Sequence, residues 1–477
     1  MKSIKIIAFF ILLSLPAICT SQIYLDKYNF GEGLHFSGEN GYSIQLEGYA
    51  QPYVETKRYL GNYDSEIYKR FRMRRLRLSL SGNSENEKLS YRLKVDLSGT
   101  PEIDIEGEDD AGTFLLDAYL EYDLTDDISL TFGQRSTATD NRELRMSSQT
   151  LQLVERSRVT SAFSTIREFG LFADGTFRIP GGSYLKPTLT LTNGDGLNVF
   201  QKDRGGLKYG GRLDFLPFGL FTYFGQFRQV DMVRELTPKL VVGVNYSYND
   251  GMSSRRGRES GSVLYLNDDG DEALPDYTKF GIDFLFKYKG FSMLGEFVKS
   301  TATVGNDITQ RVRNDGSTST SFLVNGIQDV ENYVKGRMML GEGYNIQAGY
   351  LFKNLISVDA RYTHLEADTY SFLNNGTFYN RPNYYTFGIS KYLDRNYGAK
   401  IQTSFTYVDA APGSNDFNGD PINGNEWIAR LIFSIGFYKN SNEKHSYYSI
   451  IFVDFVLRCT NFKSATQRSH SKILSGF

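Results

Sequence analysis

Residues 89–98, LSYRLKVDLS, alternate without a fault: Leu89, Tyr91, Leu93, Val95 and Leu97 fall on one face, and Ser90, Arg92, Lys94, Asp96 and Ser98 on the other. A repeat of two is the side-chain period of a strand, so the segment reads as a strand with one oily and one charged side. The same pattern returns at 117–122 and 128–133, and again at 240–248, 280–288, 344–352, 356–362 and 401–407, with Gly, Asn, Asp and Ser clusters between. Between Tyr42 and Phe437 about sixteen such segments follow one another at the spacing of membrane-spanning hairpins. A soluble sandwich would share the alternation strand by strand. Many of these apolar faces end in Tyr or Phe at the strand tips, however, which suits the two interfaces of a bilayer. The expected fold is all-β, a transmembrane antiparallel β-barrel of about 16 strands, closed so that no backbone group faces lipid unpaired.

Composition agrees. Phe (35), Tyr (33) and Gly (46) are abundant and Trp occurs once, a bias toward strands and turns. Mean hydropathy of -0.37 argues against helical spans. A net charge of -2 and a pI near 6.2 do not suit a nucleic-acid binder. The start, MKSIKIIAFFILLSLPAICTSQ, has Lys2 and Lys5 before the apolar run Ile6–Leu15 and small residues at Thr20 and Ser21, and reads as a signal peptide over 1–21. Residues 22–41 then form a short N-terminal periplasmic segment, 42–437 the barrel and 438–477 a tail of unclear role. Residues 22–437 contain no cysteine.

The run KRFRMRRLR (69–77) needs a local explanation, because six of its nine residues are basic while Leu76, Leu78 and Leu80 alternate out of it. In a barrel the leucines touch lipid and Arg75 and Arg77 point into the lumen. Arg72 and Arg74 have the opposite parity. A bulge or register shift near Arg74 and Arg75, or a strand mouth at Lys69–Arg72, would accommodate them. Between Arg135 and Arg167 the chain is too long for a tight hairpin. Folded inward it would narrow the pore with Arg142, Arg145, Arg156 and Arg158, though Asp140, Glu143 and Glu155 stand beside them; as a surface loop it would not. NEWIARLIFSIGF (425–437) reads as the closing strand, ending on an aromatic residue of the kind the barrel-assembly machinery recognises.

Catalytic and metal-binding patterns are absent. The four histidines, His35, His364, His445 and His470, sit in no nucleophile or metal motif. The acidic stretch LNDDGDEALPD (266–276) lacks the spacing of a calcium loop and reads as a solvated turn. No catalytic residue, metal ligand or cofactor is expected.

Several separated stretches, FRMRRLRLSLSG (71–82), LLDAYLEYDLTDDISLTFGQ (115–134), LQLVERS (151–157), LTNGDGLN (191–198) and KYGGRLDFLPFG (208–219), together resemble the phosphate-selective porin O and P family in its Bacteroidetes-like form. The resemblance implies a sixteen-stranded, trimeric outer-membrane porin with a constriction loop after the fifth strand and lumen arginines and lysines that guide anions such as phosphate. It carries the arginine-rich second strand onto Arg72, Arg74, Arg75 and Arg77, and the loop motif onto Glu155, Arg156 and Ser157. Arg92, Lys94, Arg135, Arg156 and Arg158 complete the anion-pathway candidates. Asp96, Asp117, Glu121 and Asp283 are the acids that would oppose them. The expected function is passive diffusion of small anions. A weakly selective channel, or an adhesive barrel acting through loops 249–277 and 300–335, is the alternative.

Overall fold

The computed structural model describes residues 23–29, 33–38, 41–61, 67–99, 114–197, 203–416 and 418–436. The expected signal peptide, Phe437 and the tail lie outside the described residues. Sixteen antiparallel strands make one closed wall: β1 Ser43–Tyr59, β2 Tyr68–Asn83, β3 Leu89–Asp96, β4 Leu115–Thr125, β5 Ile128–Ser136, β6 Arg167–Gly175, β7 Tyr184–Thr192, β8 Lys208–Leu216, β9 Lys239–Asn249, β10 Asp276–Tyr288, β11 Phe291–Thr303, β12 Gly341–Leu351, β13 Ile356–Ala367, β14 Asn383–Tyr392, β15 Ala399–Asp409 and β16 Glu426–Gly436. Each strand pairs with its neighbour in sequence, and β16 pairs with β1 from Glu426↔Tyr59 to Gly436↔Tyr49, which closes the ring. A preceding hairpin, Ile23–Asn29 with Gly33–Gly38, adds to the start of β1 through Leu34↔Leu46. No helix among the described residues is long and apolar enough to cross a membrane.

The alternation of the sequence becomes two faces of the wall. Leu93 (45% exposed), Leu120 (54%) and Phe132 (55%) point outward, where lipid would cover them. Asp96, Asp117 and Thr131 point inward and are buried. On the outer face Tyr344, Tyr362, Tyr385 and Tyr407 stand ring to ring on β12, β13, β14 and β15, with successive centroids 5.8, 5.1 and 6.4 Å apart. Trp427 continues the row opposite Tyr407. A belt of amphipathic rings marks the level where headgroups meet hydrocarbon.

The connections fall into two sets. At one end 126–127, 289–290 and 352–355 are tight turns; at the other, 137–166, 250–275 and 304–340 are long. Barrels of this kind keep short turns on the periplasmic side and long loops outside. Single cysteines placed in 250–275 and 304–340 are therefore expected to label on intact cells with an impermeant thiol reagent. Labelling seen only after lysis would reverse the orientation. Because β16 already meets β1, a chain ended after Phe437 is expected to assemble as a heat-modifiable barrel.

Candidate permeation pathway

The basic run on β2 is split by a bulge. Gln51 pairs with Arg75 and Pro52 with Met73, so Arg74 has no counterpart on β1. One extra residue turns the strand's parity over. Arg75 and Arg77 then share the lumen with Arg70, Arg72 and Arg74, while Phe71 (78% exposed) and Met73 face outward with the leucines. Of the two arrangements that the sequence allows, the bulge is the one present. Arg72 lies over the Tyr53 ring at 5.3 Å.

The segment between β5 and β6 is inside the barrel. It is the loop after the fifth strand, and nearly all of 137–166 is buried. Its ties radiate to distant strands. Glu155 meets Arg74 at 2.6 Å and Arg75 at 2.9 Å on β2. Burial works against the Glu155 carboxylate, and the two guanidiniums outweigh it, holding the group well below its ordinary value. At the other extreme Arg142 meets Asp214 on β8 and Asp283 on β10, both at 2.7 Å, and Arg212 meets Asp214 at 2.8 Å. Gly243 on β9 stands beside this cluster, and a Cβ there would overlap the guanidiniums of Arg212 and Arg142. Gln152 donates to Asp359 on β13 at 3.0 Å, and Asp140 pairs with Lys279 on β10. Within the loop Ser157 caps the short helix α1, Arg158–Phe163, its hydroxyl accepting from Thr160 N–H.

The candidate cations thus occupy different settings. Arg77 is paired with Asp96 at 2.8 Å, and Arg135 with Asp174 at 2.9 Å and more distantly with Glu121. Asp117 is taken by Arg167 at 2.7 Å. Arg156 donates to the carbonyls of Glu143 and Met146, and Arg158 to that of Phe378 and to the Tyr384 hydroxyl. Arg142 is buried in its ion pairs with Asp214 and Asp283. The acids scattered along the chain converge on arginines once the wall is closed, Asp96, Asp117, Glu121 and Asp283 each standing against one. Arg92 and Lys94 make no ion pair among the described residues.

A second insertion enters from the short-turn end and went unread in the sequence. Residues 217–238 connect β8 to β9 where a tight turn is usual. Lys287 donates to the carbonyls of Gly225 (2.9 Å) and Val230 (3.0 Å), and Asp231 accepts from Gly290 N–H at 2.7 Å. Gln229 reaches the loop: its side chain accepts from the Gln152 N–H at 2.8 Å and donates to Glu143 at 3.2 Å. Tyr223 (φ 50°) and Phe224 (φ 56°) hold left-handed backbone, a conformation that costs about 1–3 kcal/mol per residue and persists where surroundings enforce it. The available signal was negative, a stretch of this length without period two.

Between loop, insertion and wall lies a cavity of about 620 Å³ in the short-turn half of the lumen. Its charged lining is Arg77, Lys94, Arg228, Lys287 and Arg395, with Glu47 the carboxylate. Beside it a basin of about 440 Å³ carries six carboxylates, Asp123, Asp126, Asp127 and Asp174 among them, against the four cations Arg92, Arg135, Arg145 and Lys186.

Known proteins extend this picture. Residues 57–218 match the phosphate-selective porin O and P family. That match lies within the closed sixteen-stranded wall and covers about a third of the chain. No curated protein sequence matches it. Similar solved structures include the outer-membrane-expressed OmpT of Vibrio cholerae, at 9% identity over 83% of this chain and 98% of that one, TM-score 0.45. The anion-selective porin from Comamonas acidovorans is 10% identical, covering 83% and 100%, TM-score 0.46. The outer-membrane channel DcaP of Acinetobacter baumannii is 12% identical, covering 84% and 98%, TM-score 0.44. The family match spans β2 to β8 and includes the bulge and the inward loop.

Proposed function

We propose that this barrel is an outer-membrane porin through which small anions, phosphate among them, diffuse passively. The observation that carries the reading is the lumen cavity in which five cations face one carboxylate, with Lys94 unpaired. Two unit charges about 4 Å apart interact by roughly 1 kcal/mol in water and about 4 kcal/mol at an effective dielectric near 20. Two or three such groups acting on one anion exceed the roughly 1.4 kcal/mol that makes a tenfold preference. Arg74 and Arg75 contribute less on this reading, because Glu155 offsets them. Guanidinium forks suit phosphate oxygens better than chloride. The working unit on this reading is a homotrimer inserted by the barrel-assembly machinery.

Reversal potentials across a salt gradient test it. The wild-type channel is expected to prefer anions, and Lys94→Gln with Arg228→Gln to lose most of that preference. Millimolar phosphate is expected to reduce the chloride current of the wild type more than that of the variant. A cation-preferring wild type ends the reading. A weakly selective channel is the second reading, and the acidic basin beside the cationic cavity favours it.

A further inference from the structure

The long loops build a folded cap. Residues 250–275 and 304–340 pack around Met252, Tyr265, Ile308, Phe322 and Val334. Strand pairs join Tyr265–Leu266 to Gln310–Val312 and the latter to Thr318–Ser319. Within the cap lies a cleft of about 500 Å³, lined by Arg255, Arg311, Arg313 and Arg337 with Tyr333, and Asp315 is the carboxylate in its lining.

Its charges are arranged unlike those of the lumen. Arg311, Arg313 and Arg337 make no ion pair among the described residues. Tyr333 holds two of them side by side. Its hydroxyl accepts from Arg311 at 2.6 Å and from Arg337 at 2.9 Å, and its ring lies 5.0 and 4.9 Å from their guanidinium carbons. Two like charges gathered around one phenol repel each other, and an anion between them would relieve that repulsion. Arg311 spends Nε on the Ser321 carbonyl, which leaves its Nη2, the Nε and Nη1 of Arg337 and the whole guanidinium of Arg313 as donors. Forked donors of this kind match the oxygens of a phosphate group. The volume lies in the range of organic ligand sites and exceeds what a bare oxyanion fills. Val263, Leu264 and Val312 wall the remainder.

We infer that this cleft binds a phosphate monoester, with its oxygens on Arg311, Arg313 and Arg337 and its organic body against the apolar wall. The site is independent of conduction through the lumen. The ester is either a free sugar phosphate or the phosphorylated sugar headgroup of an outer-leaflet glycolipid.

Calorimetry on the purified full chain tests the inference with glucose 6-phosphate, inorganic phosphate and glucose as probes. The ester is expected to bind saturably, inorganic phosphate more weakly and glucose not at all. Arg311→Gln with Arg337→Gln is expected to weaken the ester at least tenfold while leaving conductance in potassium chloride unchanged. Tyr333→Phe keeps the ring and releases two donors, so binding is expected to hold or tighten; a tenfold loss there would overturn the assignment. Absence of ester binding to heat-modifiable wild type, or equal affinity in the double variant, would overturn it too. Vesicles carrying a phosphorylated glycolipid separate the sources. Competition with glucose 6-phosphate assigns the site to the membrane, and no competition assigns it to the free ester. Equal competition by the dephosphorylated glycolipid defeats phosphate recognition.

Discussion

Glu155→Gln is expected to loosen the inward loop of this barrel and widen its lumen. The carboxylate is the shared partner of Arg74 and Arg75, both fully buried. An amide of the same shape removes the charge that these two guanidiniums share. Removing one partner of a buried pair typically costs about 3–5 kcal/mol. The wall has its own ladder of backbone bonds, so the loss falls first on the loop. Expected results are a lower temperature for the heat-modifiability transition, a larger and noisier single-channel conductance, and a reversal potential moved toward anions by the two released cations. Replacing Arg74 and Arg75 by alanine in the same chain should recover much of the thermal loss, as coupled groups do in a double-mutant cycle. Wild-type melting and conductance in Glu155→Gln would show that the loop is held by its other ties alone.

Asp283→Asn is expected to destabilise the opposite anchorage by a similar amount. Asp283 meets Arg142 from the loop and Arg212 from β8 at once, and its loss leaves Asp214 to serve Arg142, Arg145 and Arg212 together. The cost again falls near about 3–5 kcal/mol, since buried guanidiniums lose their counter-charge. A reduced yield of assembled barrel and early loss of heat-modifiability would report it. Arg142→Ala in the Asp283→Asn background should be milder than the sum of the two changes, because each removes the same interaction. Strict additivity would mean that the cluster does not act as a unit.

Much of the wall was legible in the sequence because lipid imposes a repeat of two on every strand, and LSYRLKVDLS (89–98) displays it without interruption. The parity conflict at Arg74 and Arg75 likewise announced an irregularity, since no uniform strand places Arg72, Arg74, Arg75 and Arg77 on one face. What local pattern cannot carry is pairing across the lumen. Arg142 finds Asp283, and Gln152 finds Asp359, only when β10 and β13 have been brought round by closure. For that reason spacing alone leaves both placements of the loop open, inside the barrel or at its surface, and the run of basic residues does not display the partners its arginines meet. The insertion at 217–238 obeys no period, and its role rests on hydrogen bonds it accepts from Lys287 and from the Gln152 N–H, which no stretch of sequence advertises.

The extra residue at Arg74 divides β2 into two reading frames. Insertions and deletions are ordinarily tolerated where chains are exposed and irregular. Removing a single residue here would carry the outer half of the strand into the other frame, bringing Phe71 and Met73 indoors and sending Arg70 and Arg72 toward the bilayer. An arginine on the lipid face costs about 2–4 kcal/mol near the midplane and less toward the interfaces. The length of this strand is therefore constrained as tightly as its composition, and a lineage could exchange its leucines among themselves far more freely than it could lose one letter between Met73 and Leu76.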